Sequence, residues 1–143
     1  MAIYMIGDVQ GCDTALERLL ALVDFSPSRD TAYLLGDLVN RGPDSLGVLR
    51  RAMAHEGALR CLLGNHDLHL LAITQGVRAP HRGDTLQEVL AAPDLPRMVD
   101  WLRRQPLALD EHGWLMVHAG VLPPWSAADA LALAAEVQEV LGG

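Results

Sequence analysis

Three apolar runs of this 143-residue chain end in a glycine followed by an acid or an amide: Gly7-Asp8, Gly36-Asp37 and Gly64-Asn65, the last continuing into His66-Asp67. A fourth run ends in His118-Ala119-Gly120. Taken singly, an Asp after a strand is an ordinary turn residue, because its short carboxylate hydrogen-bonds the local backbone. As a set, carboxylate, amide and imidazole groups supplied from separate strand ends make the oxygen and nitrogen ligand field that divalent transition metals take. A carboxylate such as Asp37 can bridge two ions, and Asn65 offers a carbonyl oxygen. The remaining histidines carry less chemistry. His69 reads as structural or solvent-facing, and His55, His81 and His112 read as surface residues with no partner at ligand spacing.

The elements that must position these groups follow from hydropathy spacing. Residues 2–6 predict a strand, and a helix from about Asp13 to Val23 follows with Leu16, Leu19, Leu20 and Val23 on one face. Residues 31–35 repeat the pattern, with Pro43 suited to the first turn of a helix carrying Leu46, Val48 and Leu49. Residues 58–63 and a helix bearing Leu68, Leu70, Leu71 and Ile73 form a third unit. Asp8 and Asp37 are 29 residues apart, and Asp37 and Asn65 are 28 apart, the length of a βαβ repeat. Crossover helices make strands parallel and bring their C-terminal ends to one edge of a sheet, so Asp8, Asp37 and Asn65 are expected to converge there. The expected class is therefore α/β with a mainly parallel sheet. The stretch about 76–96 is rich in Gly, Pro, Arg and Asp and reads as an insertion or cap with one short helix near Thr85 to Leu90. A helix around Pro96 to Arg104 follows. Runs at 106–109 and 114–117 then predict a hairpin across Asp110-Glu111-His112-Gly113, and Ala127 to Leu141 predicts an amphipathic helix.

Composition narrows the partners. Half the residues are hydrophobic and a fifth are charged, which excludes a disordered or collagen-like chain. Eleven basic residues, all Arg, against eighteen acidic ones give a net charge of −7, which argues against holding duplex nucleic acid by counterion release. Two cysteines, Cys12 and Cys61, make neither a disulfide framework nor a CxxC pair, so a reducing cytoplasm is expected. No run is long enough to predict a membrane span or signal peptide.

The motifs GDVQG at 7–11, GDLVNRG at 36–42, GNHD at 64–67 and VHAG at 117–120 resemble the calcineurin-like metallophosphoesterase family. Through GDLVNRGPDSLGVLR, GNHDLHLLA, WLRRQPL and VHAGVLPPW the chain is similar to the symmetrical bis(5′-nucleosyl)-tetraphosphatase branch over nearly its whole length. That resemblance implies hydrolysis of a dinucleoside polyphosphate, diadenosine tetraphosphate, into two ADP on two divalent metal ions, manganese or cobalt. By the same resemblance Asp8 binds the first ion, Asp37 bridges both, and Asn65 and His118 bind the second. His66 is then the general acid, Asp67 orients its imidazole, and the Arg41 fork clamps phosphate oxygens. Arg103 and Arg104 are candidates for the tetraphosphate but, on a helix, read first as solvated.

Two departures from the family pattern stand out. Gln10 replaces the histidine of the usual Asp-x-His, a poorer ligand than imidazole that suits a harder ion such as manganese. Family members are about twice this length and carry a further Gly-His motif for the second ion; the expectation is a truncated piece or short homologue with reduced activity, or a homo-oligomer whose partner covers the open sheet face. A phosphomonoesterase or protein phosphatase of the same fold and a catalytically impaired nucleotide-binding module are the alternatives.

Overall fold

Three βα units, in the order the spacing predicts, make up the first half of a computed structural model that describes residues 1–143. β1 (Ile3–Ile6) leads to α1 (Asp13–Leu22), β2 (Thr31–Leu34) to α2 (Ser45–Ala54), and β3 (Leu59–Cys61) to α3 (Asn65–Thr74). The strands pair parallel in the order β1-β2-β3, with Ile6 opposite Leu34 and Leu34 opposite Cys61. β2 is central and covered on both faces: Ala32, Tyr33 and Leu34 are all fully buried, which is why its sequence is continuously apolar rather than alternating. β1 is an edge strand and Met5 on it is exposed.

One start and one packed face differ from the spacing. α2 begins at Ser45, two residues after Pro43, because Asp44 takes the capping position and its carboxylate accepts from the Gly47 N–H at 2.8 Å. α1 buries Leu16, but Leu19 is exposed, so its packed face is narrower than the four residues expected on it.

The principal core joins Leu16, Leu34, Leu49, Leu63, Leu70 and Met98 in a cluster of sixteen buried residues. Leu86 and Val89, which flank and occupy the short α4 (Gln87–Leu90), are each 1 % exposed and belong to this same cluster. α5 (Leu95–Leu102) starts with Pro96 in its first turn, where the missing N–H costs nothing. β4 (Ala108–Glu111) and β5 (Trp114–Val117) form the antiparallel hairpin, with Glu111 opposite Trp114. Its turn is tighter than the four residues expected. His112 and Gly113 alone make it, at φ 55° and 79°, the pair of left-handed residues that matches strand twist.

α6 (Ala127–Gly142) is capped reciprocally: Ser126 Oγ accepts from the Asp129 N–H, and Asp129 accepts from the Ser126 N–H. It is tied down at polar points. Gln138 accepts from the Leu107 N–H, and Arg103 donates to the carbonyls of Leu141 and Gly142. Only Ala130 of this helix is buried, while Leu133, Val137 and Val140 stand in solvent. No helix is long and apolar enough to cross a membrane.

Candidate metal and phosphate site

The parallel sheet delivers the loops after β1, β2 and β3 to one edge, and β5 brings His118 to the same place. Ligand atoms of Asp8, Asp37 and His118 lie within 4.8 Å of one another. His118 Nε2 is 3.3 Å from Asp37 Oδ2 and 3.1 Å from Asn65 Oδ1, and Nδ1 is 3.8 Å from Asp8 Oδ1. Asp8, Asp37 and Asn65 are therefore brought together as their strand-end positions predict, and His118 joins them from the hairpin.

Hydrogen-bond accounting shows that this cluster fits a cation. His118 Nδ1 is 2.9 Å from the Leu35 carbonyl, so Nδ1 carries a hydrogen and donates it. On a neutral ring Nε2 is then a bare lone pair facing Asp37 Oδ2, with the Asn65 side-chain amide beside it. Two lone pairs this close repel unless a positive charge stands between them: a metal ion, or a second proton on the ring. A histidine whose far nitrogen donates to a backbone carbonyl is oriented as metal-ligating histidines are.

The loops carrying these groups are held in costly conformations. Gln10, Asp37, Asn40 and Arg41 have φ of 46°, 51°, 79° and 67°, the left-handed region that side-chain-bearing residues avoid. Such strain persists only where surrounding contacts over-determine it. Here the Gln10 N–H donates to the Asp37 carbonyl at 2.7 Å, and the Gln10 carbonyl accepts from the Gly42 N–H at 2.8 Å, stitching the first two loops together. Gln10 thus enters the site through its backbone. Asp37 Oδ1 accepts from the His66 N–H at 2.9 Å, at the start of α3, where the helix dipole favours a carboxylate.

Asp67 and His66 do not meet as the sequence suggests. Asp67 is wholly buried, and its carboxylate accepts from the N–H groups of Leu38, Val39 and Gly64. It bolts the second loop to the third, which orients ligands rather than the His66 ring. Burial pushes its carboxyl up to about 7 against the lowering pull of the Gly64 and Leu38 N–H groups. The side chain at the His66 ring is Asn40, whose Nδ2 lies 3.1 Å from His66 Nδ1. No hydropathy signal marks Asn40, or Asp84 behind it, as a site residue; only its place inside GDLVNRG could have.

Arg41 is exposed, beside Gly83, at the mouth of a cleft also lined by Pro43, Ser45, Thr85 and Glu88. It is free of carboxylate partners, unlike Arg50, Arg51 and Arg60, each paired with an acid. Arg103 and Arg104 both pair with Asp100. His69 is not solvent-facing: it is largely buried and bonds Asp84 through Nε2 at 2.8 Å.

The family description "Calcineurin-like phosphoesterase" matches residues 1–140. A symmetrical bis(5′-nucleosyl)-tetraphosphatase of Paracidovorax citrulli is 63 % identical over 147 residues, covering all of this chain and 52 % of its own length. Enzymes of the same name from Acidovorax ebreus and Chromobacterium violaceum are 61 % and 54 % identical, again over 52 % of their lengths. The chain spans about half the length of the curated relatives it matches. A crystal structure described as that of "a putative diadenosine tetraphosphatase" superposes with a TM-score of 0.67 at 29 % identity, covering 87 % of this chain and 57 % of the other.

Proposed function

Because this chain belongs to the calcineurin-like phosphoesterase family, we propose that it is a metal-dependent phosphoanhydride hydrolase that cleaves diadenosine tetraphosphate symmetrically into two ADP. The observation that supports the reading is the convergence of Asp8, Asp37, Asn65 and His118, a set of oxygen and imidazole groups that suits a divalent cation. The relatives' names supply the substrate class.

Asp8, with Gln10 as a weak neighbour, would hold a first divalent ion, and Asn65 and His118 a second, with Asp37 between them. When bound, such ions neutralise phosphoryl oxygens and lower the pKa of a water; manganese or cobalt suits this oxygen-rich set. Arg41 would grip non-bridging oxygens of the tetraphosphate through its planar fork. Water attacks the second phosphorus, the bond from that phosphorus to the central bridging oxygen breaks, and that oxygen leaves on ADP. His66 would face the leaving oxygen. A terminal phosphate with a second pKa near 6 needs stabilisation there rather than full protonation, so a hydrogen bond from the ring suffices. Asp67 would serve by fixing the loops of Asp37 and Asn65. The segment about 76–96 would act as the cap bordering the phosphate path, since Thr85 and Glu88 line the Arg41 cleft. The two unpaired cysteines support a cytoplasmic setting, and the exposed Leu133 and Val137 are consistent with association with a second copy.

The test is hydrolysis of diadenosine tetraphosphate by this chain with and without manganese or cobalt, products separated by chromatography, with Asp37→Asn as control. ADP as sole product, dependent on metal and lost in the variant, is the expected result. ATP with AMP would overturn the symmetrical reaction. Binding without turnover under any metal would leave a nucleotide-binding module instead.

A further inference from the structure

Behind His66 lies a chain of polar side chains that the reaction as described does not use. Asn40 is buried, and its Oδ1 accepts from the N–H groups of Arg41 and Thr85, at 3.0 and 2.9 Å, and from Thr85 Oγ1 at 3.4 Å. Those donors settle which end of the amide is which, so Nδ2 is the group that faces outward. It has two hydrogens and two partners: Asp84 Oδ1 at 3.1 Å and His66 Nδ1 at 3.1 Å. His66 Nδ1 must therefore accept, which places the ring hydrogen on Nε2. Asp84 in turn is anchored by His69 Nε2 at 2.8 Å and the His81 N–H at 2.7 Å. His69 itself is locked in place, its Nδ1 buried without a partner, so its one polar bond is to Asp84.

We propose that Asp84 is a positioning residue for His66: acting through Asn40, it fixes the direction and tautomer of the imidazole so that Nε2–H is the group presented to the leaving phosphate oxygen. The inference rests on the reading of His66 as the residue at that oxygen. Without Asp84, Asn40 keeps Oδ1 occupied but loses one of the two acceptors that hold its Nδ2 group in the His66–Asp84 plane. The imidazole, held then by an amide anchored at one end only, turns and exchanges tautomers more readily. A charged, ordered carboxylate is what the arrangement requires. Burial alone would raise Asp84, but the bonds from His69, His81 and Asn40 outweigh it and hold its carboxyl down at about 2.

The polarity of the chain can be reversed as a unit. In the pair Asn40→Asp with Asp84→Asn, the carboxylate at position 40 accepts from Arg41, Thr85 and the new amide, and also becomes an acceptor toward His66. The ring must then carry its hydrogen on Nδ1. The new amide oxygen at position 84 still accepts from His69 and His81, so every hydrogen bond keeps a partner and folding is preserved.

Long-range proton–nitrogen correlation spectra of the metal-free chain labelled with nitrogen-15 histidine read this directly. The expected result is a His66 ring with hydrogen on Nε2 in the parent, a mixture of tautomers in Asp84→Ala, and hydrogen on Nδ1 in the reversed pair, with His118 unchanged in all three. In turnover of diadenosine tetraphosphate, Asp84→Ala should lose about tenfold in kcat with KM within about twofold. A His66 tautomer unchanged in Asp84→Ala overturns the proposal, as does a reversed pair that leaves the hydrogen on Nε2. The spectra need no turnover, so a chain that fails to hydrolyse the substrate defeats the functional reading while the positioning relation is still decided.

Discussion

Asn65 Oδ1 and His118 Nε2 stand 3.1 Å apart across 53 residues of sequence, while His118 Nδ1 lies 2.9 Å from the Leu35 carbonyl. The proposed reading makes both of them ligands of one ion. Replacing either partner by Ala should weaken manganese binding by at least about tenfold, measured by calorimetry on the chain. Equal affinity in Asn65→Ala would show that the amide is not a ligand.

Gly64 is pressed against Asp37. A Cβ at Gly64 would lie 2.2 Å from Asp37 Oδ1 and 2.4 Å from its backbone nitrogen, whereas a Cβ at Gly7 would meet nothing within 4 Å. Gly64→Ala should cost about 1–3 kcal/mol of stability as an overpacked site, and Gly7→Ala no more than about 0.5 kcal/mol. Denaturant titration of the two variants side by side checks this contrast.

Leu86 carries the segment after α3 into the main core. Truncating it to Ala should cost about 2–5 kcal/mol, the range for a buried leucine. A cost under about 1 kcal/mol, measured by thermal unfolding, would mean that this stretch packs independently of the parallel sheet.

The two thiols should behave oppositely. Burial pushes Cys61 up to about 12, while Cys12 is exposed at the first loop. A maleimide at neutral pH should label Cys12 alone in the folded chain and both residues in denaturant. Native labelling of Cys61 would show that β3 opens readily.

Asp84 makes acid stability measurable at one position. Its folded carboxyl titrates near 2, below the ordinary value of 3.8, so folding favours the ionised form. That contribution is complete above the ordinary value and is lost as pH falls from about 4 through 2. The parent should be more stable than Asp84→Asn at neutral pH, and the gap should close across that window in chemical denaturation followed against pH.

How much of this was legible beforehand divides along a physical line. The sequence by itself determined the three parallel βα units and the convergence of Asp8, Asp37 and Asn65, because apolar periodicity and crossover handedness are local and topological rules. His118 was legible as a member of the set, though its approach to Asn65 depends on a separate hairpin docking near the sheet edge. What only the tertiary structure decided is which side chain faces which. Asp67 follows His66 directly, yet in the first turn of α3 neighbouring side chains point about 100° apart, so its carboxylate is driven into the loop backbone instead. The ring of His66 meets Asn40, 26 residues earlier, and Asn40 meets Asp84, 44 residues later. Such contacts have no period in the chain. They come from buried polar groups seeking their last partner once the core has set the distances.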